Sequence, residues 1–116
     1  MKKNLLLVTL LLGASSAAFS ASVITTRLDD AKAVYLNAPE FAVHGDGTTD
    51  DSSALQAAID KAEGEAHEGI VFVPAGRYQL TRTVYVWPGV RIFGYGTTRP
   101  VFLLAANTPG FQKGVG

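Results

Sequence analysis

Short β-like runs recur along the second half of the chain, and Gly or Pro chemistry ends most of them. Ile70-Val71-Phe72-Val73 stops at Pro74-Ala75-Gly76. Arg77-Tyr78-Gln79-Leu80 and Thr83-Val84-Tyr85-Val86 follow, before the turn Trp87-Pro88-Gly89. Val90-Arg91-Ile92-Phe93 stops at Gly94-Tyr95-Gly96, and Val101-Phe102-Leu103-Leu104 comes last. Runs of this length and composition read as strands. They fit a small antiparallel barrel or sandwich, or the coils of a β-solenoid. The spacing favours the solenoid. Val71 and Ile92 lie 21 positions apart, and Tyr78 and Val101 lie 23 apart. No Asn-Gly or Asp-Gly pair of the tight-hairpin type joins any two of these runs.

The first twenty residues stand outside that pattern. Met1-Lys2-Lys3-Asn4 is a short positive head, residues 5–18 carry no charge, and Ala18-Phe19-Ser20 offers small residues around a cut after Ser20. This is the layout of a secretory signal peptide, residues 1–20. Its apolar run is too short for a spanning helix, which needs about 20 apolar residues. The expectation is a secreted or periplasmic protein with no membrane segment after cleavage. Residues 21–116 then hold eight Lys+Arg and ten Asp+Glu, a net charge of −2. That balance speaks against a nucleic-acid partner, which selects for a basic surface. The chain has no cysteine, so disulfides and thiolate chemistry are excluded.

Residues 21–33 are polar and mixed, and read as a leader. Val34-Tyr35-Leu36 reads as a short strand ended by Asn37-Ala38-Pro39, and Phe41-Ala42-Val43 as an apolar scrap. Gly45-Asp46-Gly47-Thr48-Thr49-Asp50-Asp51 reads as a turn cluster. A helix follows, with Leu55, Ala58, Ile59 and Ala62 on one face at offsets 0, 3, 4 and 7. Ser53, Gln56, Asp60 and Glu63 face the other way. Thr49, Asp50 or Asp51 can supply the N-cap, and Gly64 stops the helix before a charged loop.

Four fragments in order make a resemblance. They are Gly45-Asp46-Gly47-Thr48-Thr49-Asp50-Asp51, Ala54-Leu55-Gln56-Ala57-Ala58-Ile59-Asp60, Val71-Phe72-Val73-Pro74-Ala75-Gly76-Arg77-Tyr78 and Gly89-Val90-Arg91-Ile92-Phe93-Gly94-Tyr95-Gly96. Together they resemble the N-terminal segment of the pectate-lyase superfamily, and more narrowly the rhamnogalacturonase/epimerase-like pectate lyase domain, related to polygalacturonases. The resemblance covers roughly residues 35–105. It implies an all-β, right-handed parallel β-helix, with one helix across the open N-terminal end of the coil stack. Residues 34–116 would then be that cap and the first coils of an incomplete domain. The structural motif positions are Gly45, Asp46, Gly47, Asp50, Asp51, Pro74, Gly76 and Gly94. The family pattern before the first glycine reads Phe-Gly-Ala, and here it is Phe41-Ala42-Val43. If that position needs a positive φ, Ala42 carries a small strain.

The resemblance also implies activity on polysaccharides. Hydrolases of this kind use grouped carboxylates. Lyases use a base beside a uronate carboxylate, often with calcium. Those groups belong to middle coils, so no catalytic, cofactor or metal residue is assigned within this chain. Calcium is implied only for a full-length lyase.

The acidic residues Asp46, Asp50 and Asp51 read as turn and cap chemistry. An EF-hand loop beginning at Asp46 fails, because its sixth and twelfth positions hold Asp51 and Ala57. His44 and His67 share no ligand spacing. Arg77, Arg82, Arg91 and Arg99 read as solvated turn positions. Tyr85 and Trp87 are the best candidates for stacking on a sugar. The leading reading is the N-terminal part of an exported glycoside hydrolase or polysaccharide lyase acting on pectin-like or other polysaccharide. The alternatives are a non-catalytic β-solenoid module that binds glycans or scaffolds, and a phage tail-spike-like depolymerase segment.

Overall fold

The computed structural model describes residues 20–64 and 69–111. The signal peptide and His67 lie outside them, Ser20 excepted. Six strands and two helices follow one another as β1 (Val34–Tyr35), α1 (Ala38–Phe41), β2 (Asp46–Asp50), α2 (Ser52–Gly64), β3 (Ile70–Pro74), β4 (Arg77–Leu80), β5 (Arg91–Tyr95) and β6 (Val101–Leu104). Odd strands form one sheet in the order β1-β3-β5. Even strands form a second in the order β2-β4-β6. Every pairing is parallel. The chain therefore visits the two sheets alternately and climbs one strand at each visit. This excludes the antiparallel alternative and is compatible with a partial β-helix.

Val71 pairs with Ile92, as the spacing of 21 requires. In the second sheet Arg77 pairs with Val101 and Tyr78 with Phe102. The true offset there is one residue longer than a Tyr78–Val101 match. Register puts like side chains above one another. Tyr35, Phe72 and Phe93 stack with centroids 5.4 Å and 5.9 Å apart, and Tyr78 lies 5.7 Å from Phe102. Alternation along β3 sends Val71 and Val73 to one face and Phe72 to the other. Val71 and Val73 join Val34, Leu36 and Tyr78 in the core, with Leu55, Ala58, Ile59 and Ala62 of α2. The helix thus lays its expected apolar face on β1, β3 and β4. The small alanines let it approach closely, and the burial is favourable at about 25 cal/mol per Å².

Three expectations need correcting. Thr83–Val86 is not a strand, because residues 83–87 pair with no neighbouring strand. Asp46–Asp50 is not only a turn cluster: it is β2, paired with β4 across a register shift between Asp46 and Asp50. The local turn chemistry is still present. Asp46 Oδ1 accepts the N–H groups of Thr48 and Thr49 at 2.9 and 2.8 Å, which produces the irregularity. The segment after β1 contains a short helix, α1. Asn37 caps it by accepting the Glu40 N–H at 3.0 Å, and Pro39 sits in its first turn. Its C-cap is Ala42, at φ 53° and ψ 33°. The position that the family pattern gives to Gly is therefore left-handed here.

Residues 21–24 are docked against the rest of the chain rather than loose. Ile24 makes a parallel bridge to Tyr95, and its carbonyl accepts the Gly96 N–H at 3.0 Å. Ser22 Oγ donates to the Thr98 carbonyl. Arg99 Nε donates to the Ala21 carbonyl at 3.3 Å.

Candidate functional site

Gly45, Pro74 and Gly76 gather around the buried Tyr78, and Asp51 is buried beside Gly45. Tyr78 is 2% exposed, and its hydroxyl donates to the Pro74 carbonyl at 2.8 Å. A Cβ on Gly45 or Gly76 would stand 3.2 Å or 3.0 Å from the Tyr78 ring, so both glycines are clearance for it. Gly45 also has φ +64°. Burial, with the charge of Asp51 nearby, pushes the Tyr78 phenol up to about 12. Gly94 has a different neighbour, since a Cβ there would lie 2.6 Å from Pro100. Gly47, at φ +80°, passes over Arg77.

Asp51 is 0% exposed. It immediately precedes α2, and its carbonyl accepts the Leu55 N–H at 3.0 Å. Its carboxylate turns away from the helix. It takes the backbone N–H groups of His44 and Gly45 at 2.8 and 2.9 Å, with His44 Nδ1 at 3.3 Å. Asp51 therefore holds the preceding loop, while Asp50 serves the helix start. Asp50 Oδ1 accepts the Ser52 N–H at 3.0 Å and the Ser52 hydroxyl at 2.5 Å. These bonds, led by the Ser52 hydroxyl, lower the Asp50 pKa. The Thr49 hydroxyl, then the Thr49 and Thr48 N–H groups, hold the Asp46 carboxyl well below the usual carboxylate range. The three carboxylates thus serve different local donors. No group of three or more His, Cys, Asp or Glu that could hold a metal is found among the described residues.

The arginines do not share a surface contact set. Arg82 Nη2 donates to Ser53 Oγ at 2.9 Å. Arg99 binds the Ala21 carbonyl. Arg77 and Arg91 begin separate strands. Arg27, unmarked in the sequence, lays its guanidinium 4.0 Å over the Tyr35 ring and closes the aromatic column. Nothing in the local sequence marks that contact, because it depends on the docked leader.

The segment after β4 returns along the polar side of α2. Gln56 Oε1 accepts the Tyr85 N–H at 2.8 Å, and Gln56 Nε2 donates to the Tyr85 carbonyl at 3.1 Å. Trp87 Nε1 donates to Asp60 Oδ1 at 2.7 Å. The Val90 N–H reaches the Trp87 carbonyl at 3.0 Å across Pro88 and Gly89, with Gly89 at φ +86°. Pro followed by a positive-φ Gly is the signature of a type II turn. Tyr85 and Trp87 remain 63% and 44% exposed, with ring centroids 6.5 Å apart and planes 22° from parallel. The residues selected from sequence as a sugar-stacking pair are thus side by side on a held segment.

A concavity of about 500 Å³ lies between residues 22–24 and the β5–β6 region. It is lined by Val23, Ile24, Ile92, Phe93, Arg99 and Pro100, among others. No helix among the described residues is long and apolar enough to cross a membrane.

Two stacked parallel sheets, fed alternately by one chain and flanked by a helix on their apolar interior, define a parallel-β protein of the pectate-lyase-like class. The sequence profile described as rhamnogalacturonase A/epimerase, pectate lyase-like, matches residues 35–115. The chain belongs to that family. It is 38% identical over 89 residues to a glucan 1,3-beta-glucosidase of Cochliobolus carbonum, covering 66% of this chain and 11% of that protein. It is 47% identical over 45 residues to alginate lyase 7 of Azotobacter vinelandii, covering 39% of this chain and 5% of the relative. It is 49% identical over 47 residues to a mannuronan C5-epimerase of the same organism, covering 40% and 3%. The chain therefore spans about a tenth or less of the length of these relatives. No solved structure matches it.

Proposed function

We propose that this chain is the N-terminal part of an exported carbohydrate-active enzyme, a glycoside hydrolase or polysaccharide lyase. Its fold is read as the first coils of a right-handed parallel β-helix. In that reading α2 caps the open end, covering apolar side chains that would otherwise meet water. The observation that carries the proposal is the family match over residues 35–115, joined to the alternate parallel climb of β1 to β6. The relatives are named for glucan, alginate and mannuronan chemistry, so the substrate class proposed is a polysaccharide. Asp46, Asp50 and Asp51 serve backbone and hydroxyl donors, which supports assigning the groups that break the glycosidic bond to later coils. Residues 1–20 are proposed to direct export to the periplasm or outside the cell.

The test has two arms. The reading frame downstream of Gly116 should encode further coils, with Asp/Glu or Lys/Arg grouped on successive ones. A stop codon there overturns the proposal that this chain is part of an enzyme. The chain itself should release no reducing sugar and no unsaturated product from polygalacturonate, rhamnogalacturonan, alginate or β-1,3-glucan. Turnover above the blank would show that the active site lies within it.

A further inference from the structure

We propose that Tyr85 and Trp87, held on the outer side of α2, form a binding ledge for a neutral β-linked glucan. The proposal deepens the polysaccharide reading above and rests on it.

Neither ring belongs to the buried core cluster, so packing of the interior does not require them. The Trp87 ring and the Tyr85 backbone are nonetheless held. The Trp87 indole N–H is tied to Asp60, and its backbone enters the Pro88-Gly89 turn. The Tyr85 backbone is gripped at N–H and carbonyl by Gln56, which leaves its side chain free to project. Anchoring of this kind removes part of the ordering cost of binding. The rings lie 6.5 Å apart and 22° from parallel. Rings in face-to-face contact would be about 3.5–4.0 Å apart, so these two are not in face-to-face contact, and both stay exposed. A β-linked glucose unit carries its substituents equatorially, and each face of its ring is a sheet of C–H bonds. Such a face packs on an aromatic ring by dispersion and exclusion of water.

The charges select against a uronate. Asp60 carries its carboxylate at the base of the ledge, and Glu63 follows on the neighbouring turn of the same helix face. Arg82, the cation of this segment, already donates to Ser53 and lies in the field of Asp50. The bonds from Gln56 and Trp87 both end on Asp60 Oδ1. Oδ2 is then the oxygen that would accept a hydroxyl from the sugar.

Trp87 is the sole tryptophan of the chain, so its emission reports directly on the ledge. Titration of the full chain with a β-1,3-glucan hexasaccharide should give a saturable change in intensity or wavelength. An alginate hexasaccharide at the same concentrations should give none. Tyr85→Ala keeps the backbone bonds to Gln56 and should weaken glucan binding about threefold to tenfold with the melting temperature held. Asp60→Asn should admit the alginate oligomer. Absence of a saturable change with glucan, or an unchanged affinity in Tyr85→Ala, overturns the ledge. Preference for alginate in the unaltered chain overturns its neutral selectivity. These outcomes are independent of the reading frame beyond Gly116, so failure of the ledge and failure of the enzyme reading are separable.

Discussion

Gln56 engages Tyr85 with both ends of one side-chain amide, accepting the backbone N–H at 2.8 Å and donating to the carbonyl at 3.1 Å. The glutamine thereby does for Tyr85 what a neighbouring strand does elsewhere in the chain. This explains how the Tyr85 backbone keeps its partners without entering either sheet.

Gln56→Ala should therefore destabilise by about 1–2 kcal/mol, since two backbone groups lose their partner at a partly solvated site. The melting temperature should fall by several degrees, and proteolysis within 81–89 should accelerate. Gln56→Glu keeps the acceptor and loses the donor, with a new charge beside Asp60. It should be no better than alanine. Equal cleavage rates in all three proteins would show that the contact does not hold the segment.

Ala42 supplies a stabilising change. It sits at φ 53°, where a Cβ costs about 1–2 kcal/mol and glycine carries no such cost. The greater unfolded-state freedom of glycine returns part of that gain. Ala42→Gly should raise stability by about 0.5–1 kcal/mol, read as a higher urea midpoint with an unchanged slope.

Gly69 and Gly64 should respond in opposite ways to alanine. Gly69 has φ +63°, and a Cβ there would lie 2.6 Å from the Gly89 carbonyl oxygen. That approach aligns the Gly69 carbonyl with the Arg91 N–H at 2.7 Å, at the start of the β3–β5 ladder. Gly69→Ala should cost about 3 kcal/mol or more, from left-handed strain plus a backbone clash. Gly64 ends α2 with nothing among the described residues within 4 Å of a would-be Cβ. Gly64→Ala should be neutral or stabilising by up to about 1 kcal/mol. Thermal melts of the two variants decide between these outcomes.

Stability should decline at both ends of the pH scale for different reasons. Asp46 and Asp50 have folded pKa values below the unfolded value, so their contribution is present above about pH 4 and lost as pH falls through the folded values. Tyr78 is shifted upward to about 12 from 10.0. Its contribution is whole below pH 10 and is lost as pH rises from 10 to about 12. Asp46→Asn should flatten the melting-temperature profile on the acid side, and Tyr78→Phe on the alkaline side. Unchanged profiles in both variants would refute these assignments.

The sequence carried the alternation of short strands, the apolar face of α2 and the 21-residue offset of Val71 and Ile92. Those features are set by side-chain periodicity and steric turn chemistry, which act locally. Helix α1 is missed: Asn37 and Pro39 read as the end of a strand, and a helix of four residues leaves no apolar period to detect. The strand character of Asp46–Asp50 was hidden by residues that favour turns. It depends on β4, whose backbone overrides local propensity. Thr83–Val86 erred in the other direction. Its β-branched and aromatic residues read as a strand, yet its hydrogen bonds go to a glutamine side chain that no strand pattern reveals. For the candidate site, Tyr85 and Trp87 stand out in the sequence as candidates for stacking on a sugar, and the fold leaves both exposed. Their anchoring to Gln56 and Asp60 joins residues 27 to 29 positions apart, and only the tertiary fold brings them together.

The bridge between Ile24 and Tyr95 bears on the order in which the chain can assemble. A polypeptide made at about 5–20 residues per second leaves Ile24 without that partner for roughly 4–14 s. Throughout that interval the strands up to β4 can associate among themselves, because each of their pairings closes a shorter loop. The leader is then the last of these segments to find its place, although it is the first to be synthesised. Its docking would be a late kinetic step, recognisable as amide protection at the Gly96 N–H that develops after protection of β3.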